Sequence, residues 1–198
     1  MFTRTRKFFA RFRREEEGSI VAETVIMFPT LFAACLATYV FFDAFRNQSV
    51  SLKAAYTISD ALSREDGYIT NTYMNSLWRI HRFLTNSAHN TRLRVSMIEY
   101  DADDDKYYVC WSRNKGGMGN LTNGGLQQLV NANQIPVLPE DQGVFLVQTS
   151  VAWEPIFSIG RNWSMDFQNL VVTAPRFSPA TRYSHNGTAG GEIGCSFQ

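Results

Sequence analysis

Three aspartates at alternate positions are the first group in this sequence whose type and spacing could bind a metal ion. Asp101, Asp103 and Asp105 lie in the segment DADDD, and alternating carboxylates begin many calcium-binding loops. Such loops place a glycine at the sixth position and a glutamate at the twelfth, where this chain has Lys106 and Ser112. We therefore interpret the segment as a solvated hairpin turn, with a weak cation site as the alternative.

The residue types that perform catalysis occur without the spacing that a reaction needs. The histidines, His81, His89 and His185, form no HExxH pattern, which would place two zinc ligands on one helix face. The glycine-rich segment 116–119 lacks the Lys-Ser or Lys-Thr pair of a phosphate-binding loop, and no GxSxG motif is present. We therefore expect no enzymatic activity and no cofactor.

A glycine, a glutamate and a long apolar stretch follow one another early in the sequence. Gly18 and Ser19 precede Glu23, and residues 24–42 then carry no formal charge. As an α-helix this stretch would be about 28 Å long, close to the roughly 30 Å hydrocarbon core of a bilayer. We expect one transmembrane helix over 19–42, and a buried core helix is the alternative.

The charged residues indicate an orientation and exclude one class of partner. The 19 Lys and Arg side chains nearly balance the 18 Asp and Glu, which argues against a nucleic-acid partner. Basic residues precede the apolar stretch at Arg4, Arg6, Lys7, Arg11, Arg13 and Arg14. Because basic flanks remain in the cytoplasm, we expect the N-terminus to be cytoplasmic and the segment after residue 42 to lie across the membrane.

Two familiar kinds of N-terminal signal are alternatives here. A secretory signal peptide fits poorly, because glutamates at 15–17 abut its apolar region and Glu23 lies inside it. A lipoprotein signal is suggested by FAAC at 32–35, which resembles a lipobox with Cys35 as the acylated residue. The alternative is that Cys35 is a small apolar residue of a membrane helix.

A removable leader over residues 1–18 would explain why an acidic residue, Glu23, lies at the start of the apolar helix. Cleavage between Gly18 and Ser19 would free an α-ammonium group, and Glu23 would become the fifth residue of the mature chain. A carboxylate in an apolar helix is costly unless it has a partner. An ammonium group on a neighbouring subunit would be such a partner, whereas a carboxylate that reaches the membrane surface is the alternative.

Residues 18–42 resemble the N-terminus of TadE-like proteins, the TadE/TadF family of minor pseudopilins in the Tad (Flp-type) pilus assembly system. Gly18, Glu23 and Pro29 carry the resemblance, within a helix rich in Val, Ala, Leu and Phe. Residues 143–176 also resemble the end of these domains, where two strands follow one another.

The resemblance implies a minor pseudopilin of a tight-adherence (type IVc) pilus or secretion system. Its implied partners are a prepilin peptidase, other Tad pilins and pseudopilins, the inner-membrane pilus assembly platform and the lipid bilayer. It implies a single-pass protein of the bacterial inner membrane with a periplasmic domain that supports pilus assembly and surface adhesion. The alternatives are an unprocessed single-pass membrane protein with a ligand- or partner-binding domain, and a membrane-tethered enzyme.

Apolar spacing predicts two helices before the chain changes to strands. The first extends over about 19–63, bends at Pro29 and carries a stripe of Phe45, Leu52, Ala55, Ile58 and Leu62. The second carries Ile69, Tyr73, Leu77, Ile80 and Leu84 on one face. We expect it to pack against the soluble half of the first helix.

Period-two alternation then predicts four strands. The strands are centred on Leu93–Val95–Met97, Tyr107–Val109–Trp111, Phe145–Val147–Thr149–Val151–Trp153 and Leu170–Val172–Ala174, with a short helix near Leu126. The expected fold is α+β and pilin-like, with helices on an antiparallel sheet. Its expected regions are a leader (1–18), a transmembrane helix (19–42), a periplasmic domain (43–180) and a polar tail (181–198), which we expect to be poorly ordered except near Cys195.

Two cysteines fall in the part that we place in an oxidising compartment. Cys110 lies on a predicted strand and Cys195 lies in the predicted tail. A disulfide between them would attach the tail to the sheet, and two free thiols are the alternative.

Overall fold

The computed structural model describes residues 17–86, 90–140, 142–156 and 164–195. Its elements are α1 (Glu17–Ser63), α2 (Asn71–Thr85), β1 (Thr91–Asp101), β2 (Lys106–Lys115), α3 (Asn123–Asn131), β3 (Val144–Trp153), β4 (Met165–Thr173), β5 (Tyr183–Ser184) and β6 (Glu192–Ile193). The chain divides into two units, residues 1–44 and residues 45–198. The α+β class and the number of main strands agree with the sequence prediction.

The helix α1 confirms the predicted long N-terminal helix, and its backbone is continuous through Pro29. Its residues up to Ala44 belong to the first unit and those from Phe45 to the second. In the second unit, Ala55, Ile58 and Leu62 of the predicted stripe are buried, whereas Phe45 and Leu52 are exposed. The predicted stripe is therefore wrong in its first half.

The main sheet is antiparallel with the strand order β2-β1-β3-β4. The register pairs Val95 of β1 with Arg113 on one side and with Val147 on the other. Between Met97 and Ile98 the β1–β2 register shifts by one residue, so Cys110 forms a bulge. A bulge redirects the side chains that follow it. As a result Trp111 packs on one face of the sheet, whereas Val109 and Tyr107 pack on the other.

The first core lies between one face of the sheet, the second half of α1, and α2. It contains Ala55, Ile58, Leu62, Ile69, Met74, Leu77, Leu93, Val95, Met97, Trp111, Phe145, Val147, Val171, Ala180, Tyr183 and Cys195. Two polar contacts join α1 to β4 beside this core: the Ser59 and Thr173 hydroxyls hydrogen bond, and Asn169 Nδ2 donates to Ser51 Oγ at 2.8 Å.

The buried face of α2 differs from the predicted one. Ile69 precedes the helix, and Ile80 and Leu84 are exposed, whereas His81 and Thr85 are buried together with Met74 and Leu77. The helix begins at its cap Thr70, whose hydroxyl accepts from Tyr73 N. The Tyr73 hydroxyl donates to the Ala61 carbonyl at 3.4 Å, so α2 contacts the second half of α1 as predicted.

The second core covers part of the opposite face of the sheet. It contains Ile98, Leu121, Leu126, Leu138, Val144 and Leu146, and α3 supplies the predicted short helix. The Ser96 and Ser112 hydroxyls hydrogen bond to each other at 2.8 Å, and Ser112 Oγ accepts from Leu121 N at 2.8 Å. These bonds satisfy the polar groups at the edge of the second core.

The segment expected to be a poorly ordered tail packs onto the first core. Cys195 and Cys110 form a disulfide with Cα atoms 4.6 Å apart. Trp111 Nε1 donates to the Thr181 carbonyl at 2.8 Å, and β5 pairs with β6. Ile69 N donates to the Arg182 carbonyl, and the Ile69 carbonyl accepts from Ser184 N, both at 3.0 Å. Within its described residues, the tail is thus part of the second unit.

Gly143 is the position where this packing leaves least room for a side chain. An added Cβ would lie 2.7 Å from Ala180 Cβ and 2.9 Å from Met97 Sδ. We expect Gly143→Ala to lower the free energy of unfolding by about 1–3 kcal/mol, because overpacking displaces core atoms. Urea denaturation of the full chain in detergent measures this change.

Gly124→Ala is the matched control for Gly143→Ala. Gly124 lies in α3, and an added Cβ would meet nothing within 4 Å. This variant should gain about 0.5–1 kcal/mol from better helix propensity. Equal effects of the two substitutions would show that the contact with Ala180 is not tight.

Candidate functional site

The residues predicted to form the processing and assembly site all lie in the first turns of α1. The backbone at Gly18 and Ser19 is helical, and Glu23 follows one turn later with an exposed side chain. The rest of the predicted leader, residues 1–16, lies outside the described residues. The site therefore consists of a helix beginning, a candidate peptide bond within it and one nearby carboxylate.

The apolar part of α1 is exposed within the described residues. One helix there, Ile20–Ser63, is long and apolar enough to cross a membrane. An 18-residue window of this helix has a mean hydropathy of 2.1, and none of that window is buried. Large side chains there are exposed, including Ile26, Phe28 and Phe42. The alternative of a helix buried in this chain's own core is therefore not what the structure shows.

The polar groups within this apolar stretch are satisfied inside the helix. The hydroxyls of Thr24, Thr30 and Thr38 donate to the carbonyls of Ile20, Ile26 and Ala34 at 2.8, 3.0 and 2.8 Å. Such bonds leave no threonine hydroxyl proton to be solvated, which suits a helix in an apolar phase.

Two further predicted residues lie on the same helix. Pro29 has no N–H for the Val25 carbonyl, so one backbone bond is missing where the sequence predicts a bend. Cys35, the alternative acylation site, is a free and exposed thiol in the middle of the helix.

The faces of the helix can be assigned from residue spacing. Residues spaced by three, four and seven share a face, so Glu23 shares its face with Ile26, Met27 and Thr30. The opposite side carries Val21, Val25, Phe28, Phe32 and Tyr39, and the Phe28 and Phe32 rings are 6.4 Å apart. Glu23 is therefore a carboxylate on a largely apolar face.

The aspartates of the candidate cation site serve as hydrogen-bond acceptors in the β1–β2 turn. Asp101 Oδ1 accepts from the N–H groups of Asp103 and Asp104, and Asp105 Oδ1 accepts from the Tyr100 hydroxyl at 2.7 Å. The last of these bonds is the main cause of the raised pKa of Tyr100. This geometry supports the interpretation as a hairpin turn.

One group of three potential metal ligands occurs within the described part of the domain. Glu99, Cys110 and Cys195 have ligand atoms within 4.8 Å of one another. The two sulfur atoms are bonded to each other, and a disulfide cannot supply the thiolates that bind metal ions. We therefore interpret this group as a disulfide next to a glutamate and assign no metal ion to it.

A polar cavity of about 610 Å³ on the sheet was not predicted from the sequence. Arg92, Arg94, Gln148, Ser150 and Gln168 line it together with residues of the loops beside α3. Alternation indicates that such side chains lie on one face of a strand, but it does not reveal whether that face is concave.

Residues 19–42 of the first unit are apolar enough to enter an apolar phase, and their one acidic residue is Glu23. Glu23 can pair there with a cationic group of another molecule. The second unit supplies a disulfide-linked domain with a polar cavity. In comparisons with known proteins, no family model, no curated protein and no solved structure matches the chain.

Proposed function

We propose that this chain is a TadE-like minor pseudopilin that a prepilin peptidase processes after Gly18. In this proposal the apolar part of α1 anchors the protein in the bacterial inner membrane and packs with other pilins and pseudopilins. The protein supports pilus assembly and surface adhesion and has no enzymatic activity. The observation that carries the proposal is an exposed apolar helix with a carboxylate, Glu23, within its first turns.

Placement of the second unit in the periplasm is supported by its disulfide. Cys110 and Cys195 are bonded, and structural disulfides persist mainly in oxidising compartments. The basic residues before Gly18 agree with a cytoplasmic N-terminus. The two features independently favour the same orientation.

Cleavage between Gly18 and Ser19 requires the helical backbone at these two residues to unwind, because a peptidase binds its substrate in an extended form. The new ammonium group at Ser19 can then approach Glu23 of a neighbouring subunit. That ion pair would form in a medium of low dielectric constant, where it is stronger than in water.

The proposal is tested first by the N-terminal sequence and intact mass of the protein extracted from its native membrane. We expect a chain that begins at Ser19, and a Gly18→Ala variant that keeps residues 1–18. A wild-type chain that begins at Met1 would contradict processing. A chain that begins at Cys35 with an added lipid would establish the lipoprotein alternative.

The role of Glu23 is tested by comparing two substitutions on opposite sides of the helix. Glu23→Ala should be cleaved normally but recovered with pilus components at least about tenfold less often, because the ion pair is lost. Val25→Ala shortens an uncharged side chain on the opposite side and should be recovered normally. Normal recovery of Glu23→Ala would contradict charge pairing as the assembly mechanism.

A second candidate function is favoured by the cavity on the sheet. An unprocessed single-pass membrane protein whose outer domain binds a ligand would use such a cavity, and its volume of about 610 Å³ suits a small molecule. Retention of residues 1–18 together with ligand binding would favour this alternative over a pseudopilin.

A further inference from the structure

The cavity lies on the part of the second sheet face that the second core does not cover. On β1, Ile98 belongs to the second core, whereas Arg94 and Arg92, on the same face, line the cavity. On β3, Leu146 belongs to that core, and Gln148 and Ser150 line the cavity. The same face therefore changes from apolar to polar along each strand.

Arg94 is held in place by its cross-strand neighbour. Arg94 and Gln148 are paired in the register, and Arg94 Nε donates to Gln148 Oε1 at 2.7 Å. This bond uses one edge of the guanidinium group and fixes its plane, while the two terminal nitrogens make no ion pair with any residue in the described ranges. Partial burial lowers the pKa of Arg94, as expected for a cation that lacks an anionic partner.

The charge of the cavity favours an anion. Arg92 and Arg94 are two residues apart on β1, and both line the cavity. Arg92 lies 3.8 Å from the carboxylate of Asp166, a distance too long for a strong hydrogen bond. Two guanidinium groups thus face one carboxylate, and the second positive charge is uncompensated within the cavity.

The geometry points to a binding site for a small carboxylate-bearing ligand in this cavity. The ligand carboxylate accepts two hydrogen bonds from the terminal nitrogens of Arg94, the geometry that guanidinium groups prefer. Gln148 holds Arg94 in place. The site is independent of cleavage at Gly18, so it is present whether or not the chain is a pseudopilin.

Isothermal titration calorimetry on the full chain in detergent micelles at low salt tests this site. Succinate is the probe for a free dicarboxylate, and N-acetyl-Ala-Ala is the probe for the carboxyl end of a peptide; binding of either supports the site and identifies the source. The amidated N-acetyl-Ala-Ala, which lacks the carboxylate, should not bind. Binding of the amide as tight as that of the acid, or no binding of either acid at millimolar concentration, would overturn the proposal.

Substitutions then assign the binding to this cavity. Arg94→Gln should weaken binding by about ten- to a hundredfold, because a bidentate charged contact is lost. Arg79→Gln changes an exposed arginine of α2 and should bind like wild type. Unchanged binding by Arg94→Gln would place the ligand elsewhere and overturn the proposal.

If Arg94→Gln fails to fold, a second substitution tests whether Arg94 binds the ligand. Arg94→Lys keeps the charge but not the two parallel donors, and it should bind more weakly than wild type while its circular dichroism spectrum is unchanged. Full-strength binding by Arg94→Lys would overturn the bidentate contact.

Discussion

Replacing Cys195 with serine is expected to lower the free energy of unfolding of residues 45–198 by about 2–4 kcal/mol, the usual contribution of a disulfide. Cys195 is bonded to Cys110 across 85 residues of sequence, and a long closed loop restricts the unfolded chain strongly. Cys195 is also buried in the first core, so the loss includes packing. Urea denaturation monitored by tryptophan fluorescence measures the change.

Cys35→Ser is the matched control for this loss. Cys35 is free and exposed on α1, so its replacement should leave the unfolding midpoint of the second unit unchanged. Reductant should reproduce most of the Cys195→Ser effect in wild type and have no effect in the variant. If reductant does not change the unfolding midpoint of the wild-type protein, a stabilising role for the disulfide is contradicted.

The protein is expected to lose about 3 kcal/mol of stability between pH 6.5 and pH 4 because of His81. The side chain is fully buried, and neither ring nitrogen has a partner in the described structure. Burial lowers the pKa of His81 from 6.5 to about 4, and one pKa unit corresponds to about 1.4 kcal/mol. In this pH range the unfolded state binds the proton and the folded state does not, so acid favours unfolding.

Denaturation at a series of pH values tests the prediction for His81. The contribution is fully present above pH 6.5 and is lost as the pH falls toward 4. His81→Leu should flatten this part of the profile and should be more stable at low pH, since an apolar side chain needs no partner. His185→Gln changes an exposed histidine and should keep the wild-type profile. A His81→Leu profile as steep as that of wild type would assign the dependence to other groups.

The main elements could be predicted because their apolar spacing is regular. The alternation at Leu93, Val95 and Met97 matches β1, and all three side chains lie in the first core. The alternation in β2 failed at Cys110, where the bulge places Trp111 on the opposite face from Val109. A bulge depends on the neighbouring strand and on what its side chains contact, so spacing within one strand does not reveal it.

The orientation of α2 was mispredicted because hydrophobicity was taken as the only reason for burial. Ile80 and Leu84 were expected inside, but His81 and Thr85 occupy those places. The Thr85 hydroxyl donates to the His81 carbonyl at 2.9 Å, which removes most of the cost of burying threonine. Such a local bond cannot be read from residue types alone.

Polar composition also concealed the packing of the C-terminal segment and the cavity. The Thr181 carbonyl is the acceptor for Trp111 Nε1. Because every residue has a backbone carbonyl, the sequence does not show which of them accepts this bond. The pairing of Arg94 with Gln148 depends on the β1–β3 register, which joins segments distant in the chain. Both features are tertiary, so they follow from the fold and not from local pattern.

The attachment of residues 181–195 to the first core determines when the second unit can fold during synthesis. Ribosomes make these residues after every strand of the main sheet, yet they supply the acceptor for Trp111 and the second half of the disulfide. Until then Trp111 and Cys110 lack their partners, and contacts between distant segments form slowly. Folding of this unit is therefore expected to be completed only after residues 181–195 have been synthesised. In the orientation that we propose, this delay would keep the unit unfolded while it crosses the membrane.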